Sequence, residues 1–322
     1  MKHVFIINPK AGKGTGVRKI LPQIERYAEN HPGFDYVVYI TKSAGDGQRY
    51  AKEIASAGEP VRLYACGGDG TLYEIANGAF GYRNAEIAVV PLGSGNDFIR
   101  LFGTQEQFAD LQAQIDGTAI ELDAIRCGDR IALNQCSMGF DAETCNKQQD
   151  FKNLKFLNGD TSYVAALLYC FLFKMENEFT IQIGDEEPFT QKVLFCVAGN
   201  SRWYGGGFMA APFAMPDDGL LDIVVVRKNM SRAKLLSVIT PYKQGRLINH
   251  PMTIFKRAKK VTITAKEPVT ANIDGECIQT QQATFELMEK SVRFVIPTST
   301  DYLKKVASGE ISYQIDFEKF KF

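Results

Sequence analysis

Two rhythms of hydrophobic positions alternate along the first third of the chain. Val4–Ile7 is a continuous apolar run ending on Asn8, as expected of a strand covered on both faces. Val17, Ile20, Leu21, Ile24 and Ala28 then recur at helical spacing. Tyr36–Ile40 reads as a second strand, and Tyr50, Ala51, Ile54 and Ala55 mark a second helix. Residues 61–66, 71–80 and 87–91 read as strand, helix and strand. Such alternation implies βαβ units, hence a parallel sheet with right-handed crossovers. Phe108, Leu111 and Ile115 mark a further helix.

Near residue 120 the pattern changes. Strand-like runs cover 120–126, 130–134, 179–183, 192–197, 221–226, 261–264 and 285–288. Many alternate, and several are separated by short turns, which suggests an antiparallel sandwich or barrel. The stretch 162–174 reads as a buried helix, because its apolar core is far shorter than the ~20 residues of a membrane span. Arg232–Ile239 reads as another helix, and Ser312–Phe320 alternates like an edge strand. The expected division is an α/β domain over 1–125, a β-rich sandwich domain over 126–297, and a tail over 298–322.

Composition narrows the classes. With 322 residues, 45% hydrophobic and 23% charged, the chain is ordinary globular protein with room for two cores. Lys plus Arg and Asp plus Glu both number 37, so no global basic field argues for nucleic acid. The local patch Lys256–Lys260 reads as a solvated strand edge or turn, with contact to anionic lipid headgroups as the alternative. Seven cysteines without C-x-x-C spacing fit a reducing cytosol, and three scattered His argue against a His-based zinc site. The N-terminus lacks a signal-peptide layout. A cytoplasmic protein without a transmembrane segment is expected.

In parallel sheets, ligands gather beyond the carboxyl ends of the strands. Four polar loops follow those ends: Asn8-Pro9-Lys10-Ala11-Gly12-Lys13, Thr41, Gly67-Gly68-Asp69-Gly70-Thr71, and Gly93-Ser94-Gly95-Asn96-Asp97. The glycine turn at 67–71 lets bare backbone approach a ligand, and the unpaired first amides of the following helix suit phosphate. Asp69 would repel phosphate unless a cation lies between them, so the pattern reads as a nucleotide site with Mg²⁺. The plainer alternative is a tight turn capped by Asp69. In the second half, Asp274 and Glu276 flank a glycine hairpin turn, and Met215–Asp222 is an acidic turn rich in hard oxygen ligands. Ordinary turns are the alternative for both. Gly199–Phe208 holds Trp203 beside three glycines, a sharp bend or a place where substrate approaches backbone.

Taken in order, these motifs resemble the diacylglycerol kinase catalytic-domain family, particularly its soluble bacterial lipid kinases. The matching residues are Asn8-Pro9 with Gly12, Thr41, Gly67–Thr71, Pro91–Phe98, Tyr204–Gly207, Asp218-Gly-Leu220 and Asp274-Gly-Glu276. The resemblance implies a nucleotide-binding α/β domain, a β-rich lipid domain, and transfer of the ATP γ-phosphoryl group to a lipid hydroxyl, diacylglycerol by default. It implies that Asn8–Gly12, Thr41, Gly67–Thr71 and Ser94 bind ATP, that Glu276 is the general base, and that the carbonyls of Met215 and Leu220 with the Asp218 side chain hold a structural Mg²⁺. Asp69, with Asp97, would hold Mg²⁺ near the nucleotide. Ala11 stands where the family often has Ser, leaving that phosphate contact to backbone. The lipid substrate would be met at the inner membrane face, and homodimer formation is left open. An NAD kinase-like enzyme and a non-catalytic nucleotide or lipid sensor are the rival readings.

Overall fold

The computed structural model describes residues 1–93, 95–152, 166, 169–170, 177–229, 236–311 and 313–321. The chain forms two compact units, Met1–Ala124 with Glu289–Tyr313, and Ile125–Met288 with Gln314–Phe322. Each is discontinuous in sequence, because residues 289–313 return to the first unit instead of following the linear order expected above.

The first unit runs β1 (Lys2–Ile7), a single turn α1 (Ala11–Gly14), α2 (Gly16–Asn30), β2 (Tyr36–Ile40), α3 (Asp46–Ser56), β3 (Val61–Gly67), α4 (Asp69–Ala79) and β4 (Ala85–Pro91). Short helices α5 (Gln105–Ala109) and α6 (Leu111–Ile115) follow, then β5 (Thr118–Cys127). The single helix expected around Phe108–Ile115 is broken at Asp110, whose side chain accepts the Ala113 amide and starts α6 as an N-cap. The end of a long strand, β15 (Glu276–Ile296), completes a parallel sheet in the order β15-β4-β3-β1-β2. All residues of β3 and β4 are buried, which explains their unbroken apolar runs. The core joins Phe5, Ile7, Tyr64 and Val90 of the sheet to Ile20 and Ile24 of α2.

Beneath this sheet lies a buried charge knot. Arg62 makes two bonds to Glu86, of 2.7 and 2.9 Å, and donates to the carbonyls of Gln114, Ile115 and Gly117. Arg293 takes the other Glu86 oxygen at 2.7 Å.

The second unit contains β6 (Arg130–Ala132), β7 (Gln135–Gly139), α7 (Phe140–Lys152), β8 (Asn177–Ile183), β9 (Phe189–Gly199), β10 (Trp203–Tyr204), β11 (Phe208–Met209), β12 (Leu221–Arg227), α8 (Ile239–Lys243), β13 (Thr253–Ala258) and β14 (Lys260–Ile273). Its ladders are antiparallel, in the order β13-β12-β9-β7-β14-β15. Strand β8 pairs with both β14 and β9, so β9, β7, β14 and β8 close a ring. A register break between Thr264 and Val269 brackets Pro268, which has no N–H to give the ladder. Of the basic patch, Lys256 and Arg257 lie on the edge strand β13, while Lys259 and Lys260 are exposed in the turn and at the start of β14. The expected helix at 162–174 lies largely outside the described residues; Ala166, Tyr169 and Cys170 are helical. Residues 232–235 of the expected helix at 232–239 are also outside them.

The tail differs from the expected edge strand. Tyr302–Ala307 forms helix α9 in the first unit, with Tyr302 packed against Phe102. Phe317–Phe320 forms a 3₁₀ turn in the second unit. Its two Phe rings, three residues apart on one face, pack at 5.1 and 5.4 Å on Phe213.

Candidate active site

The four loops anticipated from sequence meet at the carboxyl edge of the parallel sheet. Asn8 Nδ2 donates to Thr71 Oγ1 at 3.3 Å, and the Asn8 carbonyl accepts the Ala11 amide. Asn8 Oδ1 accepts the Lys10 amide at 3.0 Å, which bends the chain through Pro9 into Ala11 and Gly12. Thr41 donates its amide to Ile7 O at 3.0 Å. Gly67 has no room for a side chain: a Cβ there would lie 2.1 Å from Thr71 Oγ1. The third and fourth loops touch through bare backbone, since a Cβ on Gly93 would lie 2.7 Å from the Gly68 Cα.

Asp69 clamps the fourth loop. Its Oδ2 accepts the Asn96 amide and its Oδ1 the Asp97 amide, both at 2.8 Å. Asn96 sits in the left-handed region at φ 47° and closes the loop by donating to Gly93 O. Burial raises the Asp69 pKa, with the nearby Asp97 adding to it, while the two amides oppose the rise. Asp97 is in turn paired with Arg100 at 2.9 Å. The N–H groups of Gly68 and Gly70, at the start of α4, have no hydrogen-bond partner among the described residues. Ser94 lies outside the described residues.

Sequence reasoning missed two supports of this edge. Glu74 accepts the amides of Gly45 and Gly47 at 2.8 and 3.0 Å and thereby fixes the loop after Thr41. Arg100 and Gln105 both donate to Gly95 O.

In the second unit, Asp274-Gly275 forms the two-residue turn between β14 and β15, with both φ angles positive at 49° and 97°. The Asp274 carboxylate accepts the amides of Leu133, Asn134 and Gln135 at 2.6–3.2 Å. That is the arrangement of a positioning group rather than of a proton acceptor. Glu276 follows at the start of β15, exposed, and its carboxylate takes no hydrogen bond or ion pair from the described residues. Gly205–Gly207 form the bend of the β10–β11 hairpin, and Asn134 Nδ2 donates to Trp203 O.

The acidic turn at 215–222 is held by cations. Arg257 bridges Asp218 and Asp222, and Asp218 Oδ1 accepts the Leu220 amide at 3.1 Å. Met215 is fully buried, with its sulfur against Arg202. The carbonyls of Met215 and Leu220 accept no hydrogen bond from the described residues. Among the described residues, no three His, Cys, Asp or Glu side chains cluster as a metal site.

Asp141, at the start of α7, was also missed. The preceding strand β7, Gln135-Cys-Ser-Met-Gly139, lacks the branched and aromatic residues that mark strands. Asp141 accepts the Tyr204 hydroxyl at 3.3 Å, and Tyr204 shares a short hydrogen bond with Tyr242. Burial pushes its carboxyl up to about 6. A folded-state pKa above the unfolded value means that stability falls as pH rises from about 4 to 6. Asp141→Asn should remove that loss, gaining on the order of 2 kcal/mol relative to wild type between pH 4 and pH 8. Urea unfolding at the two pH values reads it; a difference that does not change with pH contradicts it.

Comparison with known proteins fits this geometry. Residues 2–127 match the model of the diacylglycerol kinase catalytic domain, and residues 134–296 match the YegS C-terminal NAD kinase beta sandwich-like domain. The chain is 30% identical over 301 residues to a Pseudomonas aeruginosa PAO1 protein named "Probable lipid kinase YegS-like", covering 91% of this chain and 95% of that one. The chain belongs to this family of lipid kinases. The kinase is also 29% identical over 274 residues to a diacylglycerol kinase of Staphylococcus carnosus TM300, covering 84% and 87% of the two chains. A crystal structure of a diacylglycerol kinase from Bacillus anthracis str. Sterne shares its fold, with TM-score 0.66 at 22% identity over 92% of this chain and 97% of that one. No helix among the described residues of the kinase is long and apolar enough to cross a membrane.

Proposed function

We propose that the kinase transfers the γ-phosphoryl group of ATP to a lipid hydroxyl, with diacylglycerol as acceptor and phosphatidic acid as product. The observation that carries the reading is the meeting of four polar loops at one sheet edge, with two glycine amides at the start of α4 that have no partner among the described residues. Asn8–Gly12, Thr41, Gly67–Thr71 and the loop 93–97 hold the nucleotide phosphates. Asp69 fixes the 93–97 loop, so a charged ligand meets a preformed surface. Glu276, which takes no hydrogen bond or ion pair from the described residues, accepts the proton as the acceptor hydroxyl attacks. Asp274 holds the turn that presents it.

Two sites suit Mg²⁺ by donor chemistry. Half-buried Asp69 lies beside the buried Asp97, and Asp97 raises the Asp69 pKa, a repulsion that a cation would relieve. In the 215–220 turn, two carbonyls that accept no hydrogen bond from the described residues flank Asp218, a set of hard oxygen donors. Mg²⁺ supplies charge neutralisation to the nucleotide at the first and rigidity to the turn at the second. The kinase should melt higher with Mg²⁺, and Asp218→Ala should abolish that difference. Equal melting temperatures with and without Mg²⁺ in both proteins contradict the second site.

A panel of acceptors tests the assignment by ADP formation. Diacylglycerol in mixed micelles should stimulate it, and NAD should not. Stimulation by NAD alone would make the protein an NAD kinase. ATP binding without ADP formation on any lipid would make it a sensor. Such an enzyme would work in the cytoplasm, meeting its acceptor at the inner membrane face.

A further inference from the structure

Helix α7 and the start of β15 bring two thiols together. Cys145 lies in the second turn of α7, and Cys277 is the second residue of β15. The Cys145 Sγ sits 3.4 Å from the Gly275 carbonyl, and the Cys277 Sγ sits 3.9 Å from the Ala142 carbonyl. Each sulfur thus lies against the backbone beside the other, since Gly275 precedes Cys277 by two residues and Ala142 precedes Cys145 by three. They are also the two half-buried cysteines; Cys66, Cys127, Cys136, Cys170 and Cys196 are buried.

We propose that Cys145 and Cys277 form a reversible disulfide by exchange with a low-molecular-weight disulfide, and that this bond pins the hairpin of Glu276 to α7. The polarity of the pair assigns the roles. The neighbouring Cys145 and then burial push the Cys277 thiol far above the ordinary thiol range. With Cys277 slow to give up its proton, Cys145 is assigned as the attacking member. Its thiolate displaces one thiolate from the small disulfide and forms a mixed disulfide. Cys277 then gives up its proton and attacks the Cys145 sulfur, releasing the second small thiolate. The protein loses two hydrogens, and the small disulfide is reduced to two thiols.

Closing a thiol contact to an S–S bond of ~2.05 Å draws the hairpin tip toward α7. Glu276 is the residue next to Cys277, so its carboxylate shifts with the tip. A misplacement of ~1 Å costs ~10²-fold in turnover. This consequence rests on the role proposed for Glu276; the disulfide does not.

The reduced full-length protein is equilibrated in mixtures of reduced and oxidised glutathione. Remaining thiols are alkylated, the protein is digested, and linked peptides are read by mass spectrometry, with lipid-kinase turnover measured on the same samples. A linked Cys145–Cys277 peptide should accumulate while the five buried cysteines are found as thiols. Turnover should fall ~10²-fold and return with dithiothreitol, whereas Cys145→Ser and Cys277→Ser keep their reduced-state turnover in every mixture. No linked peptide at the oxidised end, a bond to any other cysteine, or a glutathione adduct that stays on Cys145 overturns the proposal. The linked peptide with unchanged turnover overturns the pinning of Glu276. Absence of turnover in reduced wild type defeats the proposed function, and the disulfide is then decided by the peptides.

Discussion

Glu276→Gln is expected to lower phosphoryl transfer by ~10²–10⁴-fold while leaving the melting temperature within a degree or so of wild type. The substitution keeps size and shape and removes only the ability to accept a proton. The side chain is exposed and takes no hydrogen bond or ion pair from the described residues, so the fold does not depend on its charge. Surface changes of that kind stay within about ±0.5 kcal/mol. ATP binding, by fluorescence or thermal shift, should also be unchanged, because the phosphate loops belong to the other unit. A variant that turns over like wild type removes Glu276 from the mechanism. A variant that melts far lower makes its effect structural.

Arg62→Met should produce the opposite pattern, with stability lost in a residue far from any proposed chemistry. The guanidinium is buried, with both Glu86 and three helix-end and loop carbonyls depending on it. Met fills similar volume and supplies no donor. Breaking a buried ion pair from one side costs about 3–5 kcal/mol. Arg293, which still reaches Glu86, should keep the loss toward the lower end of that range. Urea unfolding checks it: a loss under about 1 kcal/mol would show that the knot contributes little.

The first unit was legible because its strands are covered on both faces. Runs such as Val61–Cys66 have no polar residue except Arg62, which turned out to be the anchor of the charge knot. The glycine loops were legible because close backbone approach leaves glycine as the fitting residue at Gly67 and Gly93. The division of labour among carboxylates was not. Asp274 and Glu276 look alike in sequence, yet one is spent on three backbone amides and the other on none. That difference is set by loop 133–135, distant in sequence, which no local pattern reports. Strand β7 was hidden by its small and polar residues, and with it the half-buried Asp141. The tail misled because Phe317 and Phe320 were read within a period of two, whereas their spacing of three places both rings on one side of a 3₁₀ turn.

The claim on which the account turns is that phosphate leaves the nucleotide for a lipid. ATP labelled at the γ position is incubated with the protein, Mg²⁺ and diacylglycerol micelles, and label is counted in the organic phase after extraction. The account predicts label that accumulates in a phosphatidic acid band with wild type and is lost by ~10²-fold or more with Glu276→Gln. Label that stays wholly in the aqueous phase, while ATP demonstrably binds, would contradict it.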